Sequence, residues 1–126
     1  MKQTDIAAQR LQVATEVARQ AGALALDYFH RRDRLVIETK RHPSDLVSEA
    51  DREVETLIRD VLAQAFANDA LLGEEHGLSG GSSGFTWVID PIDGTLPSLA
   101  GLPGWCVSIG GCDAEGPALG VIYAPM

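Results

Sequence analysis

From Thr4 to about Arg31, apolar side chains recur at Ile6, Val13, Val17, Ala21, Leu24 and Tyr28, in steps of three, four or seven. That period predicts one amphipathic helix with a single buried face. Gly22 lies inside it, where glycine costs up to about 1 kcal/mol against alanine, so its expected use is close packing by another element. Leu35-Val36-Ile37-Glu38-Thr39 is short and β-branched and predicts a strand. A second helix follows, with Val54, Leu57, Ile58, Val61, Leu62, Ala65 and Phe66 forming one wide apolar stripe. Ser48-Glu49-Ala50-Asp51 has the spacing of a capping box, which makes Ser48 the expected N-cap.

Beyond Phe66 the period changes. Ala70-Leu71-Leu72, Thr86 to Ile89, Trp105 to Gly111 and Ala118 to Tyr123 read as short strands separated by Gly, Ser and Pro turns. Gly80-Gly81-Ser82-Ser83-Gly84 reads as a flexible loop, too short to link domains. Two helices followed by a run of strands predict an α+β fold, two long helices packed on a largely antiparallel sheet.

Composition narrows the function classes. The chain has 126 residues, 45% hydrophobic and 22% charged, enough for one domain with a real core. Ten Lys and Arg against eighteen Asp and Glu give a net charge of −8, with no basic stripe to hold a nucleic-acid backbone. The densest basic stretch, Arg31-Arg32-Asp33-Arg34 with Lys40-Arg41 beyond, reads as a solvated helix end. No apolar run is long enough to span a membrane and none has the form of a signal peptide, so the expected location is the cytoplasm.

Cys106 and Cys112 fall on one predicted strand, where six residues at about 3.3 Å each put them roughly 20 Å apart, beyond disulfide reach. They are expected to be buried reduced thiols. His30, His42 and His76 show no metal-ligand spacing and read as surface or loop residues.

The chemistry concentrates in Trp87-Val88-Ile89-Asp90-Pro91-Ile92-Asp93-Gly94-Thr95. Pro91 fixes its own φ and is expected to bend the chain at the strand end, letting the Asp90 and Asp93 carboxylates converge with the Ile92 carbonyl. Gly94 carries no side chain to keep a phosphate from the backbone N–H groups of Gly94 and Thr95. Taken alone, Asp-Pro-x-Asp-Gly favours a plain turn, because such clusters usually just end a strand. The upstream acids shift the balance. Leu71-Leu72-Gly73-Glu74-Glu75 is another strand running into carboxylates, sixteen residues before Asp90. If both strands end at one edge, Glu74 joins Asp90 and Asp93, and three such groups cannot all ionise without a cation. Oxygen donors without His or Cys favour magnesium, manganese or calcium over zinc. Glu75 reads rather as a solvated loop acid.

These blocks, together with Asp45-Leu46-Val47-Ser48-Glu49-Ala50-Asp51, Gly101-Leu102-Pro103 and Val107-Ser108-Ile109, resemble the inositol monophosphatase family in order and spacing. The resemblance implies the first half of a layered α/β sugar-phosphatase fold. It also implies a Mg2+-dependent, lithium-sensitive phosphomonoesterase, often dimeric, acting on a small phosphate monoester of inositol or a related sugar. Two or three ions are implied, held by Glu74, Asp90, the Ile92 carbonyl and Asp93. Gly94 and Thr95, with Asp93, would meet the substrate. The Thr95 hydroxyl, bonded to Asp51, would activate the attacking water. Asp51 therefore has two readings, capping box or water activation, and one carboxylate does not easily serve both.

Two departures stand out. The family continues after Gly-Thr with Asn-Phe two residues on, where this chain has Leu96-Pro97-Ser98. The family also carries a second half with a Trp-Asp motif that is absent here, so residues 1–126 read as an N-terminal metal-binding domain without its C-terminal domain. Such a domain would leave one face and edge of its sheet uncovered, which predicts association. Nucleotide-bisphosphate, histidinol-phosphate and fructose-bisphosphate phosphatases share similar acidic blocks and are alternatives. So is a regulatory or binding member that keeps the fold without turnover.

Overall fold

A computed structural model describes the backbone of residues 3–39, 43–93 and 104–125, and the side chains within them except at positions 3–4, 32–39, 43–48 and 93. Helix α1 spans Gln3–Thr39 and α2 spans Pro43–Ala65. Five strands follow: β1 Ala70–Gly73, β2 Gly77–Ser79, β3 Thr86–Asp93, β4 Cys106–Asp113 and β5 Gly116–Tyr123. They form one sheet in the order β2-β1-β3-β4-β5. The β1–β2, β3–β4 and β4–β5 pairs are antiparallel, and β1–β3 is parallel. The predicted α+β architecture, helices on a largely antiparallel sheet, is the one observed.

Three local expectations are corrected. Leu35–Thr39 is the end of α1 rather than a strand, and Arg31-Arg32-Asp33-Arg34 lies inside that helix. Extending an existing helix adds a hydrogen bond per residue, which outweighs the few tenths of a kcal/mol that each β-branched residue costs. Helix α2 begins at Pro43, so Ser48 is an interior residue and not the N-cap. Proline suits a first helical turn, where its missing N–H has no intrahelical partner to lose. The loop at 80–84 is tied down: Ser82 and Ser83 donate their N–H groups to the Asn68 carbonyl at 2.8 and 3.0 Å. Its glycines at 80, 81 and 84 have φ of 74°, 111° and 84°, the left-handed region that favours glycine. The short strand β2 was not anticipated.

The core lies between the helices and one sheet face. From the sheet it takes Leu71, Trp87, Ile89, Val107 and Ile109; from α2 it takes Ala50, Val54, Ile58 and Leu62. On α1 the buried centre is Ala14, Val17, Ala18, Ala21, Ala25 and Phe29, whereas Ile6, Val13, Leu24 and Tyr28 are only half-buried. Small side chains occupy the middle because α1 packs against α2, β4 and β5 together. Gly22 belongs to the same close packing: a Cβ there would lie 2.4 Å from Tyr123 Cδ2.

Alternation along the strands sends the other set of side chains to the far face. Leu72, Val88 and Ile122 are exposed there, Ile122 at 75%. Leu72 pairs with Val88, and Ser108 stands between Asp90 and Ile122, so apolar and acidic positions share this open face. Cys106 and Cys112, both on β4, form no disulfide and are only half-buried.

At the end of β1 opposite Glu74, Asp69 ties the layers together. Its carboxylate, 5% exposed, accepts from Arg10 Nε at 3.0 Å and Nη2 at 2.7 Å, Ser83 Oγ at 2.7 Å and Trp87 Nε1 at 3.0 Å. Burial pushes its pKa up, but the hydrogen bonds from Arg10, Ser83 and Trp87 outweigh it and hold the carboxyl below its ordinary value. Arg10 also lies 4.0 Å from the centre of the Phe85 ring.

Candidate active site

Because β1 and β3 are parallel with Gly73 opposite Ile89, both strands deliver their next residues, Glu74 and Asp90, to the same end of the sheet. Ligand sites in sheets with parallel strands favour such carboxyl ends. Strand β3 does not stop at Ile89 as expected. It runs on to Asp93 through a break in register between Asp90 and Asp93, and pairs again at Asp93–Cys106. Pro91 has no N–H to give a partner strand, which accounts for an irregularity at this point rather than an uninterrupted ladder. Asp90 is exposed at the end of the sheet, while Pro91 and Ile92 are buried.

Helix α2 supplies the third component. Asp51 lies well inside the helix and so is not part of an N-terminal cap. Of its two readings, the capping one falls. Among the described residues, its buried Oδ1 has no hydrogen-bond partner. Burial raises its pKa to about 7, helped by the charges of Glu75, Asp90, Glu74 and Glu55, in that order. Asp51 therefore senses acids from β1's end, from β3 and from its own helix.

Glu74 and Glu75 are both exposed. Glu75, expected to be a plain loop acid, is the acid that acts most strongly on Asp51. The turn carrying both is held by Glu55, which is fully buried. Its Oε1 accepts from the Glu75 N–H at 3.1 Å and its Oε2 from the His76 N–H at 2.9 Å. Arg59, one turn further on, donates Nε to Glu55 Oε2 at 3.1 Å, Nη1 to Ser79 Oγ at 2.9 Å and Nη2 to the Gly77 carbonyl. His76 packs its ring nitrogen 3.1 Å from Thr56 Oγ1 and stays at the surface.

Glu55 was missed in the sequence because it sits beside Val54 as one polar residue in an amphipathic stripe. Its spacing of four from both Asp51 and Arg59 was the available signal. Gly94 and Thr95 lie outside the described residues, as do His42 and the Leu96-Pro97-Ser98 departure, and so does the side chain of Asp93. Among the described residues, no three His, Cys, Asp or Glu side chains form a group able to hold a metal ion. The donors present nonetheless fit a hard divalent cation in kind: every one is an oxygen, and Asp51 Oδ1 is a buried acceptor without a donor among the described residues. A cation would offset the mutual repulsion of Asp51, Glu74, Glu75 and Asp90.

Residues 7–126 match the profile of the inositol monophosphatase family. The chain belongs to that family. Among its relatives, a histidinol-phosphatase from Chlorobaculum parvum is 43% identical over 122 residues, covering 90% of this chain and 46% of the relative. An inositol-1-monophosphatase from Synechocystis is 37% identical over 116 residues, covering 91% of this chain and 40% of the relative. The crystal structure of the extragenic suppressor protein suhB from Bartonella henselae superposes with a TM-score of 0.78 at 30% identity, covering 93% of this chain and 44% of that one. The chain thus spans less than half the length of these relatives. No described helix is long and apolar enough to cross a membrane.

Proposed function

We propose that the protein is a Mg2+-dependent phosphomonoesterase that hydrolyses a phosphate monoester of inositol or a related sugar, with residues 1–126 as its N-terminal metal-binding domain. The observation that carries this reading is the buried Oδ1 of Asp51, unpartnered among the described residues and with the carboxyl pKa raised to about 7, at the sheet end that receives Glu74 and Asp90. Family membership supports the same chemistry.

In this reading Glu74, Asp90, Asp93 and the Ile92 carbonyl hold two or three magnesium ions. When bound, these ions supply Lewis acidity toward the phosphoryl oxygens and acidify a bound water. Gly94 and Thr95, with Asp93, bind the phosphate. The Thr95 hydroxyl, bonded to Asp51, would orient the attacking water, and the Asp51 carboxylate would take its proton. Three remaining properties belong to the same proposal: inhibition by lithium, a cytoplasmic location and assembly as a homodimer. The exposed Leu72, Val88 and Ile122 support association through the open sheet face.

A second substrate is favoured by one observation, the 43% identity to a protein named histidinol-phosphatase. Phosphate release from inositol 1-phosphate and from histidinol phosphate, with and without Mg2+ and Li+, tests both. The expected result is Mg2+-dependent release from one of them and its loss in Asp90→Asn with the fold intact. Unchanged turnover in Asp90→Asn removes Asp90 from the mechanism. Absence of Mg2+-dependent release from every phosphate ester tried favours the regulatory reading.

A further inference from the structure

We propose that Glu55 is the positioning residue of the acidic turn, and that Gly73 is glycine because any side chain there would displace the Glu55 carboxylate. The inference rests on the reading of Glu74 as a metal ligand and adds the device that aims it.

Glu74 and Glu75 follow a four-residue strand and precede a three-residue one, and both side chains are exposed. Such a turn lacks packing of its own to fix where its carboxylates point. Its backbone is instead held from below. Glu55, fully buried on α2, receives the N–H groups of Glu75 and His76, one on each oxygen, at 3.1 and 2.9 Å. Hydrogen bonds to an ionised acceptor are roughly twice as strong as neutral ones. Arg59 balances the buried charge through Nε at 3.1 Å and continues the grip to Ser79 and Gly77 across the β1–β2 hairpin. Asp51, Glu55 and Arg59 are spaced four apart on α2, so one helix face presents the Asp51 carboxylate and the clamp that holds the turn opposite it.

Gly73 completes the arrangement. A Cβ built there would lie 2.3 Å from Glu55 Oε1 and 2.4 Å from its Cδ, with no left-handed backbone to account for the glycine otherwise. The Gly-Glu-Glu sequence and Glu55 are therefore one unit.

The test uses the full chain with Mn2+ as the probe, free Mn2+ being read by electron paramagnetic resonance, alongside amide hydrogen exchange at Glu75 and His76. Glu55→Gln keeps the volume but leaves one oxygen where two N–H groups need acceptors. Exchange at Glu75 and His76 is expected to quicken about tenfold or more, and the Mn2+ dissociation constant to rise roughly 10–100-fold, the usual scale for partners that orient metal ligands. Asp69→Asn, at the other end of β1, is the structural control. It should lower the melting temperature while leaving Mn2+ affinity within about twofold.

Should Glu55→Gln fail to fold, Gly73→Ala serves: it should reproduce both the loss of affinity and the quicker exchange at Glu75 and His76. Mn2+ affinity equal to wild type in whichever of Glu55→Gln and Gly73→Ala folds overturns the proposal, as does an equal loss in Asp69→Asn. No Mn2+ binding by the wild-type chain overturns the underlying metal reading instead, and is told apart by appearing before any substitution is made.

Discussion

Asp69→Asn isolates the buried polar hub that joins α1, β1 and β3. The substitution keeps size and shape, so it opens no cavity, but it removes the charge that faces Arg10 and turns one acceptor into an NH2 donor. Four donor contacts between 2.7 and 3.0 Å converge on the native carboxylate. Breaking a buried ion pair from one side costs about 3–5 kcal/mol, because the partner charge is left without compensation. Asn retains one acceptor and Arg10 keeps 17% of its side chain exposed, so the low end, about 3 kcal/mol, is expected. Unfolding entropy of about 2.1 cal/mol/K per residue gives roughly 0.26 kcal/mol/K for 126 residues, hence a fall in melting temperature of about 11 °C. Differential scanning calorimetry at pH 7 reads it. Arg10→Met added to Asp69→Asn should cost less than Arg10→Met alone, because no unpaired charge remains to be stranded. The carboxyl's lowered pKa sets the pH dependence: its stabilisation is present above the unfolded value near 4 and is lost as pH falls through the folded value. A melting temperature within about 2 °C of wild type would refute the account of Asp69 as an energetic hub.

The remaining predictions concern other parts of the molecule. Asp51 has a folded pKa of about 7 against 3.8 unfolded, so its contribution is fully present below pH 3.8 and is lost as pH rises through about 7. In metal-free buffer, Asp51→Asn should therefore raise the melting temperature at pH 8 and leave it unchanged near pH 4. No gain at pH 8 counts against the repulsion described here. Gly22→Ala places a Cβ 2.4 Å from the Tyr123 ring and should cost about 1–3 kcal/mol in urea unfolding, reversing the ordinary helix preference for alanine. Ile122→Lys, at a side chain 75% exposed, should change stability by less than about 0.5 kcal/mol yet shift sedimentation toward the monomer; unchanged association would acquit the open face.

Period alone determined much of the architecture. The stripe from Val54 is a helix as far as Ala65, the change of pattern after it marks a sheet, and Gly22 marks a close contact, because each follows from local spacing and side-chain size. The acidic block at Glu74 was equally legible as a strand end, whereas β3 runs past Asp90 to Asp93. What the pattern could not decide was anything that depends on context. Leu35–Thr39 has strand propensity but continues a helix already formed, and the alanines of α1 outrank its bulkier residues because three neighbours crowd that face. Whether Asp51 capped its helix turned on a start at Pro43, five residues before Ser48. Glu55 and Asp69 look like ordinary polar positions in one dimension. Only folding buries them and brings their partners, from Arg10 to Trp87 and from Arg59 to His76, within hydrogen-bond reach. A buried carboxylate is defined by what surrounds it, and in this chain those surroundings are assembled from residues up to 59 positions away.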